Sequence, residues 1–129
     1  MAYFSQERKA QIAPQVKAIL KKHGLKGSIS VRNHSTVTLT INSGKIDFIG
    51  NNQETMGRTW AQRPTNLDVN VYHYHNHYAG EAREALGELI AALNDGNWDN
   101  SDIQTDYFDK GWYVDVNIGR WNKGYTVTA

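Results

Sequence analysis

The sequence predicts a single α+β domain, residues 1–129, in which two helices pack on one face of an antiparallel sheet. Two observations predict this class. Strand-like segments, in which apolar and polar residues alternate, occur in runs and do not alternate one by one with helices. A chain of 129 residues also has the commonest size for one hydrophobic core. The predicted order of elements is α-β-β(-β)-β-α-β-β-β.

The first predicted helix covers residues 5–23. Ser5 is a suitable N-cap, and apolar residues recur at helical spacing from Ile12 to Leu20 before Gly24 allows a left-handed stop. Pro14 removes the amide that would bond to the carbonyl of Ala10. The helix is therefore expected either to kink at Pro14 or to begin there.

The next segments have the period of strands. Apolar residues alternate with Ser and Thr in residues 28–32 and 36–42, and the connector Asn33-His34-Ser35 predicts a hairpin. The alternation continues through residues 44–49, which predicts a third strand. Residues 50–66 show no alternation of apolar and polar residues and are expected to form a long loop. Residues 67–71 predict a short strand that leads into residues 72–78, a segment of aromatic residues and histidines.

The second helix is the clearest element, because an apolar stripe runs from Ala82 to Leu93 opposite Glu81, Glu84 and Glu88. Strands are then expected at residues 103–108, 111–118 and 125–128. In the predicted strand 111–118, Trp112 lies on the same side as the apolar residues and is predicted to be buried, whereas Tyr113 lies on the opposite side and is predicted to be exposed. The predicted core consists of these side chains: Ile19, Leu39, Ile41, Leu86, Leu89, Ile90, Leu93, Val114 and Val116.

The formal net charge of +1 hides a division of the chain. Residues 1–64 contain ten Lys and Arg against three acids, net +7, whereas residues 65–129 contain four against ten, net −6. This asymmetry fits a polyanion partner, a homo-oligomer or pairing between the two halves, and pairing is the commonest of the three. The basic face of the first helix is expected to be remote from the acidic face of the second. The residues that would contact nucleic acid are Lys17, Lys21, Lys22 and Arg32.

Several classes of function lack their sequence signals. Cysteine is absent, so no disulfide or thiolate metal site can form, and a cytoplasmic location is expected. Residues 1–15 lack the apolar segment of a signal peptide, and the longest apolar run, residues 89–93, is too short to cross a bilayer, so no membrane association is expected. The chain has no nucleophile elbow, phosphate loop or dinucleotide fingerprint. We therefore predict no catalytic residue and no cofactor, and a non-enzymatic role is favoured.

Three histidines leave one enzymatic alternative open. His73, His75 and His77 alternate, so in an extended segment their imidazoles would share one face. Pairs at this spacing can chelate a divalent transition metal. The alternative is a metal-dependent hydrolase, although His and Tyr are also ordinary amphipathic residues where a strand leads into a helix.

The C-terminal segment contains residue types that dominate protein interfaces. Tyr113, Arg120 and Trp121 are large aromatic or arginine side chains, and the parity of Tyr113 and the strand-end position of Trp121 leave both free to be exposed. These three residues are the candidate partner-binding site. The alternative, which the pattern favours slightly, is that the aromatic side chains of this segment serve only the structure.

Residues 101–121 (SDIQTDYFDKGWYVDVNIGRW), together with the preceding residues 74–96, resemble small uncharacterised proteins of bacteriophages and other mobile elements. The α-β-β then α-β-β order is also similar to a domain of large polyvalent proteins of phages and conjugative elements. The resemblance covers about half of the chain and assigns no functional residue. It implies an accessory protein in the host cytoplasm that binds a host or phage macromolecule. The alternatives are nucleic-acid binding by the basic half and the metal-dependent hydrolase.

Overall fold

The computed structural model describes residues 4–57, 64–97, 111–120 and 122–128. Within these ranges the chain is α+β, with four helices around a mixed sheet of five strands. The elements follow in this order: α1 (Gln6–Lys22), β1 (Leu25–Arg32), β2 (Thr36–Gly44), α2 (Phe48–Met56), β3 (Leu67–Val69), α3 (Tyr74–His77), α4 (Gly80–Leu93), β4 (Tyr113–Ile118) and β5 (Thr126–Val127).

Helix α1 has the predicted extent. The Ser5 hydroxyl accepts a hydrogen bond from the Arg8 amide at 3.0 Å, as expected of an N-cap. Pro14 lies within the helix on its exposed side. The carbonyl of Ala10, which loses its helical donor, is on an exposed residue as well, so water can satisfy it. Helix α4 and the hairpin of β1 and β2 also confirm the prediction.

The sheet is mixed, so the prediction of a fully antiparallel sheet is wrong. Its order is β1-β2-β4-β3, with antiparallel pairing in β1–β2 and β3–β4 and parallel pairing between β2 and β4. A parallel neighbour needs a long crossover, and the described part of the connection from β2 to β4 contains three helices and β3. Strand β5 pairs parallel with the end of β2, at Ser43 and Gly44. Alternation in the sequence indicates which face a residue occupies but not which strand lies beside it.

The predicted third strand at residues 44–49 is also wrong, because the chain enters helix α2 there. The Asp47 side chain caps the helix by accepting a hydrogen bond from the Gly50 amide at 3.0 Å. Gly57 ends the helix with a φ of 63°, a left-handed value that a glycine adopts without strain. Two strong caps therefore outweigh the short alternation of Ile46 and Phe48, and part of the expected loop 50–66 is helical.

The buried apolar side chains form one cluster that joins the sheet to α1, α2 and α4. Seven of the nine predicted core residues are buried, and the other two, Ile19 and Val114, pack partly buried against the cluster. Trp112 is buried, as predicted, and its indole N–H donates to the Leu93 carbonyl at 2.9 Å. In the described ranges, each helix is either too short or too polar to traverse a bilayer.

Asn97 attaches the start of β4 to the end of α4. Its side-chain oxygen accepts from the Trp112 amide and its side-chain nitrogen donates to the Trp112 carbonyl, each at 2.9 Å. The guanidinium of Arg8 also lies 5.1 Å from the Trp112 ring centroid. The predicted strand 103–108 lies outside the described residues. Residues 125–128 were expected to form the last strand, of which β5 is the central part.

Candidate binding surface

One face of the sheet is polar. Its residues alternate with the core residues along each strand, and the strand register arranges them in three rows. The rows are Arg32–Thr36–Tyr113, Ser30–Thr38–Asp115 and Ser28–Thr40–Asn117–Asp68. We call these ten residues the polar sheet face.

The periphery of the polar sheet face is accessible, whereas its centre is not. Tyr113 is 45% exposed, and Ser28, Ser30, Arg32 and Asp68 are exposed as well. Thr38 and Thr40 on the central strand are buried between their neighbours. The hydroxyl of Thr38 is a buried polar atom without a hydrogen-bond partner among the described residues.

A depression of about 700 Å³ lies at one side of this face. Its lining includes two arginines, Arg32 and Arg120, and two aspartates, Asp68 and Asp115. Arg32 Nη2 is 3.4 Å from Asp115 Oδ2, and the Asn117 side-chain amide donates to the same oxygen at 3.4 Å. The formal charges of the two arginines and the two aspartates cancel. The depression therefore offers guanidinium donors and carboxylate acceptors close together without an excess of either charge.

Two of the three predicted partner-binding residues lie at this surface. Tyr113 is in the first row, and Arg120 lines the depression, whereas Trp121 lies outside the described residues. Sequence reasoning missed Asp115 and placed Arg32 with the nucleic-acid residues. The missed signal was parity: Arg32, Tyr113 and Asp115 all occupy positions opposite the apolar residues of their strands.

The four predicted nucleic-acid residues occupy three different places. Lys17 and Lys21 line a depression beside the start of β1. Lys22 Nζ is 2.9 Å from Glu88 Oε2 of α4, and Arg32 lies on the polar sheet face. The prediction that the acidic face of the second helix is remote from the basic face of the first is therefore wrong at the end of α1. The direction of the last helical turn brings Lys22, but not Lys21, to α4.

His23 lies between the two helices and is buried. Its Nδ1 is 3.3 Å from Glu81 Oε2, and its Nε2 is 2.7 Å from Glu88 Oε1. Hydrogen bonds with Lys22 and His23 hold the pKa of Glu88 below its ordinary value, and the bond with Lys22 has the larger effect. The same bond raises the pKa of Lys22. The described ion pairs of Lys22 and His23 with α4 join the basic half of the sequence, residues 1–64, to the acidic half, residues 65–129. The pair of Arg32 with Asp115 does the same.

The prediction that three histidines share one face is wrong. His73 lies in a turn, and His75 and His77 belong to the short helix α3, where residues two apart point in widely different directions. Among the described residues, no group of three His, Cys, Asp or Glu side chains could hold a metal ion. Asn52 fixes the segment by donating to the His77 carbonyl at 3.1 Å, and Asn51 exchanges two hydrogen bonds with the backbone of Ala79.

No family model, no curated protein and no solved structure matches this chain. The chemistry of the surface is that of its own residues. Arginine and tyrosine next to carboxylates and amides can form hydrogen bonds, ion pairs and stacking contacts with a partner. This combination suits recognition.

Proposed function

We propose that this protein is a non-enzymatic binding protein whose polar sheet face binds a protein partner. The observation that carries the proposal is the exposure of Tyr113 in the same row as Arg32. Tyr and Arg are the residue types most enriched in the energetically dominant part of interfaces. The proposal includes the prediction from the sequence that α1 and α4 both pack on the apolar face of the sheet. The polar sheet face is then available to the partner.

The charge of this surface favours a protein over a nucleic acid. A phosphate backbone is bound through an excess of positive charge. The depression has no such excess, because its lining contains two aspartates as well as two arginines. Alternating charges and amides instead allow complementary pairing with a protein surface, which improves specificity more than affinity. A homo-oligomer would be the case in which the partner is a second copy of the chain.

The biological setting of the proposal comes from the sequence resemblance alone. It implies that the partner is a macromolecule of a bacterial host or of a phage. A compact domain without a catalytic motif suits an accessory protein of this kind. The metal-dependent hydrolase is not supported, since the three histidines do not share a face.

The experiment is affinity capture from host lysate with wild type, Tyr113→Ala and a matched control, Tyr72→Ala. Tyr72 is 65% exposed and lies outside the polar sheet face. We expect wild type and Tyr72→Ala to retain the same protein in the same amount. Loss of a hot-spot tyrosine costs about 2 kcal/mol, so Tyr113→Ala should weaken capture about 30-fold. The melting temperatures of the three proteins are measured in parallel.

Two results would contradict the proposal. One is undiminished capture by Tyr113→Ala. The other is a loss of capture that merely follows the folded fraction, since Tyr113 would then serve the stability of the sheet.

A further inference from the structure

Four exposed lysines surround the turn between α1 and β1, and we call them the lysine surface: Lys17, Lys21, Lys26 and Lys45. Lys17 and Lys21 are one helical turn apart on α1, so their side chains are neighbours. They line a depression of about 480 Å³ together with Lys26. Leu20 and Leu25 form part of its floor, and both are buried.

Gly24 brings the fourth lysine to this surface. Its φ of 67° is left-handed, and a Cβ at this position would lie 2.8 Å from Lys45 Cδ and 3.1 Å from Cγ. The aliphatic stem of Lys45 therefore lies directly against the turn. The Lys45 amide also donates to the Gly24 carbonyl at 3.2 Å, which fixes the backbone beside it. The stem of Lys45, which is distant in sequence, thus lies beside a glycine that lines the same depression as Lys17, Lys21 and Lys26.

The ammonium groups of the lysine surface have no ion-pair partner in the described part of the chain. Ion pairs there involve Lys22, His23 and Arg32, and none involves a member of the lysine surface. The pairing of the two halves therefore uses other cations. Four positive charges remain on one small area of a protein whose net charge is only +1.

We propose that the lysine surface binds the phosphate backbone of nucleic acid without reading its sequence. Lysine binds phosphate as a compact point charge, and it is depleted at protein interfaces, where arginine and aromatics are enriched. The site differs from the polar sheet face, so this activity does not depend on the protein partner. Base contacts typically come from arginine, lysine, asparagine or glutamine. In the described lining of the depression, lysine is the only one of these residue types, and lysine binds phosphate as a point charge.

An anionic membrane is the less favoured occupant. Membrane binding at an interface needs exposed apolar side chains that enter the lipid. Among the described residues, the exposed large apolar and aromatic side chains are Met56, Tyr72, Tyr113 and Val127, and none of them lines the depression. Its two leucines are almost wholly covered.

The test is fluorescence anisotropy of a labelled duplex DNA of about 20 base pairs, titrated with the protein at several salt concentrations. Four lysine–phosphate contacts predict a slope of log K against log salt of about −3.6, so wild type should lose affinity about 150-fold between about 50 and about 200 mM salt. Lys21→Gln with Lys26→Gln should halve the slope and reduce that loss to about 12-fold. Lys9→Gln with Lys123→Gln is the control, because it removes two positive charges from lysines outside the lysine surface.

The proposal predicts that the control binds within about twofold of wild type and keeps its slope. It is overturned if the duplex does not bind at the lowest salt, or if both double variants lose affinity equally. Vesicles containing phosphatidylserine are the second probe. If they bind more tightly than the duplex and require Lys21 and Lys26, the lysine surface is a membrane site and the proposal is wrong.

Discussion

The two faces of strand β2 differ although their residues alternate along one short segment. Val37, Leu39 and Ile41 are fully buried in the apolar cluster. Thr38 and Thr40 between them belong to the polar sheet face, whose residues on the outer strands β1 and β3 are exposed. Burial of apolar area stabilises the fold, whereas polar side chains at the surface contribute little to stability. One strand can therefore maintain the fold through one face, while the sheet face that its other side helps to form is available to the proposed partner at its periphery.

The largest effect is expected where α4 contributes to the core. Leu89 is fully buried in the apolar cluster. Leu89→Ala removes apolar contacts and leaves a cavity, so we expect the free energy of unfolding to fall by about 2 to 5 kcal/mol. Urea denaturation measures this change. Ser30→Ala, on the exposed part of the polar sheet face, is the control and should alter stability by no more than about 0.5 kcal/mol.

A cost of Leu89→Ala below about 0.5 kcal/mol would contradict the assignment of the α4 stripe to the core. A large cost of Ser30→Ala would instead show that the polar face is also a stabilising element. Either result would remove the distinction between the two faces.

The elements with local signals could be predicted from the sequence. Ser5 and Gly24 predict the ends of α1, and the apolar stripe of α4 predicts its length. Helix α2 was not predicted, because Ile46 and Phe48 continue the alternation of the preceding strand, whereas Asp47 between them caps a helix. A cap and a short alternation compete within a few residues, and tertiary burial of Phe48 fits either outcome.

The composition of the candidate surfaces could be predicted only in part. Tyr113 was expected to be exposed from its parity alone, and this is confirmed. The approach of Arg32 to Asp115 depends on strand β2 lying between β1 and β4, which no local pattern specifies. Lys45 reaches the lysine surface through the turn at Gly24, again by a contact between residues far apart in sequence.

A smaller effect of opposite sign is expected on the polar side of β2. The buried hydroxyl of Thr38 has no partner in the described part of the chain, and an unsatisfied buried group is costly. Valine retains the branched shape and replaces the hydroxyl with a methyl group. Thr38→Val should therefore raise the free energy of unfolding by about 1 kcal/mol. Thr40→Val is the matched control two residues away and should gain less, because its hydroxyl is not among the unpartnered buried atoms. A loss of stability in Thr38→Val would mean that the hydroxyl has a favourable partner.

The smallest effect concerns the ion pairs, which differ between the helical layer and the polar sheet face. Glu88 meets both Lys22 and His23, and these contacts lower its pKa. A lowered pKa means that the ionised carboxylate is favoured by folding. Its contribution is therefore present above the ordinary value of 4.5 and is lost as the pH falls through the pKa of the folded protein. The raised pKa of Lys22 has the opposite consequence, so its contribution is lost only in strongly alkaline solution, above its ordinary value of 10.5.

We expect the stability of wild type, measured by urea denaturation between about pH 6 and about pH 3, to fall more steeply toward acid than that of Glu88→Gln. Glutamine keeps the size of the side chain but cannot be protonated in this range.

Asp115→Asn is the control from the polar sheet face, where the carboxylate meets the exposed guanidinium of Arg32 at 3.4 Å, and a pair of this kind contributes little. It should change the acid slope less than Glu88→Gln. If Glu88→Gln and wild type lose stability in parallel, the Lys22–His23–Glu88 cluster does not couple folding to pH. If Asp115→Asn has the larger effect, the polar sheet face contributes more electrostatic stability than the helical layer, and the distinction between the two regions fails for charge even where it holds for apolar burial.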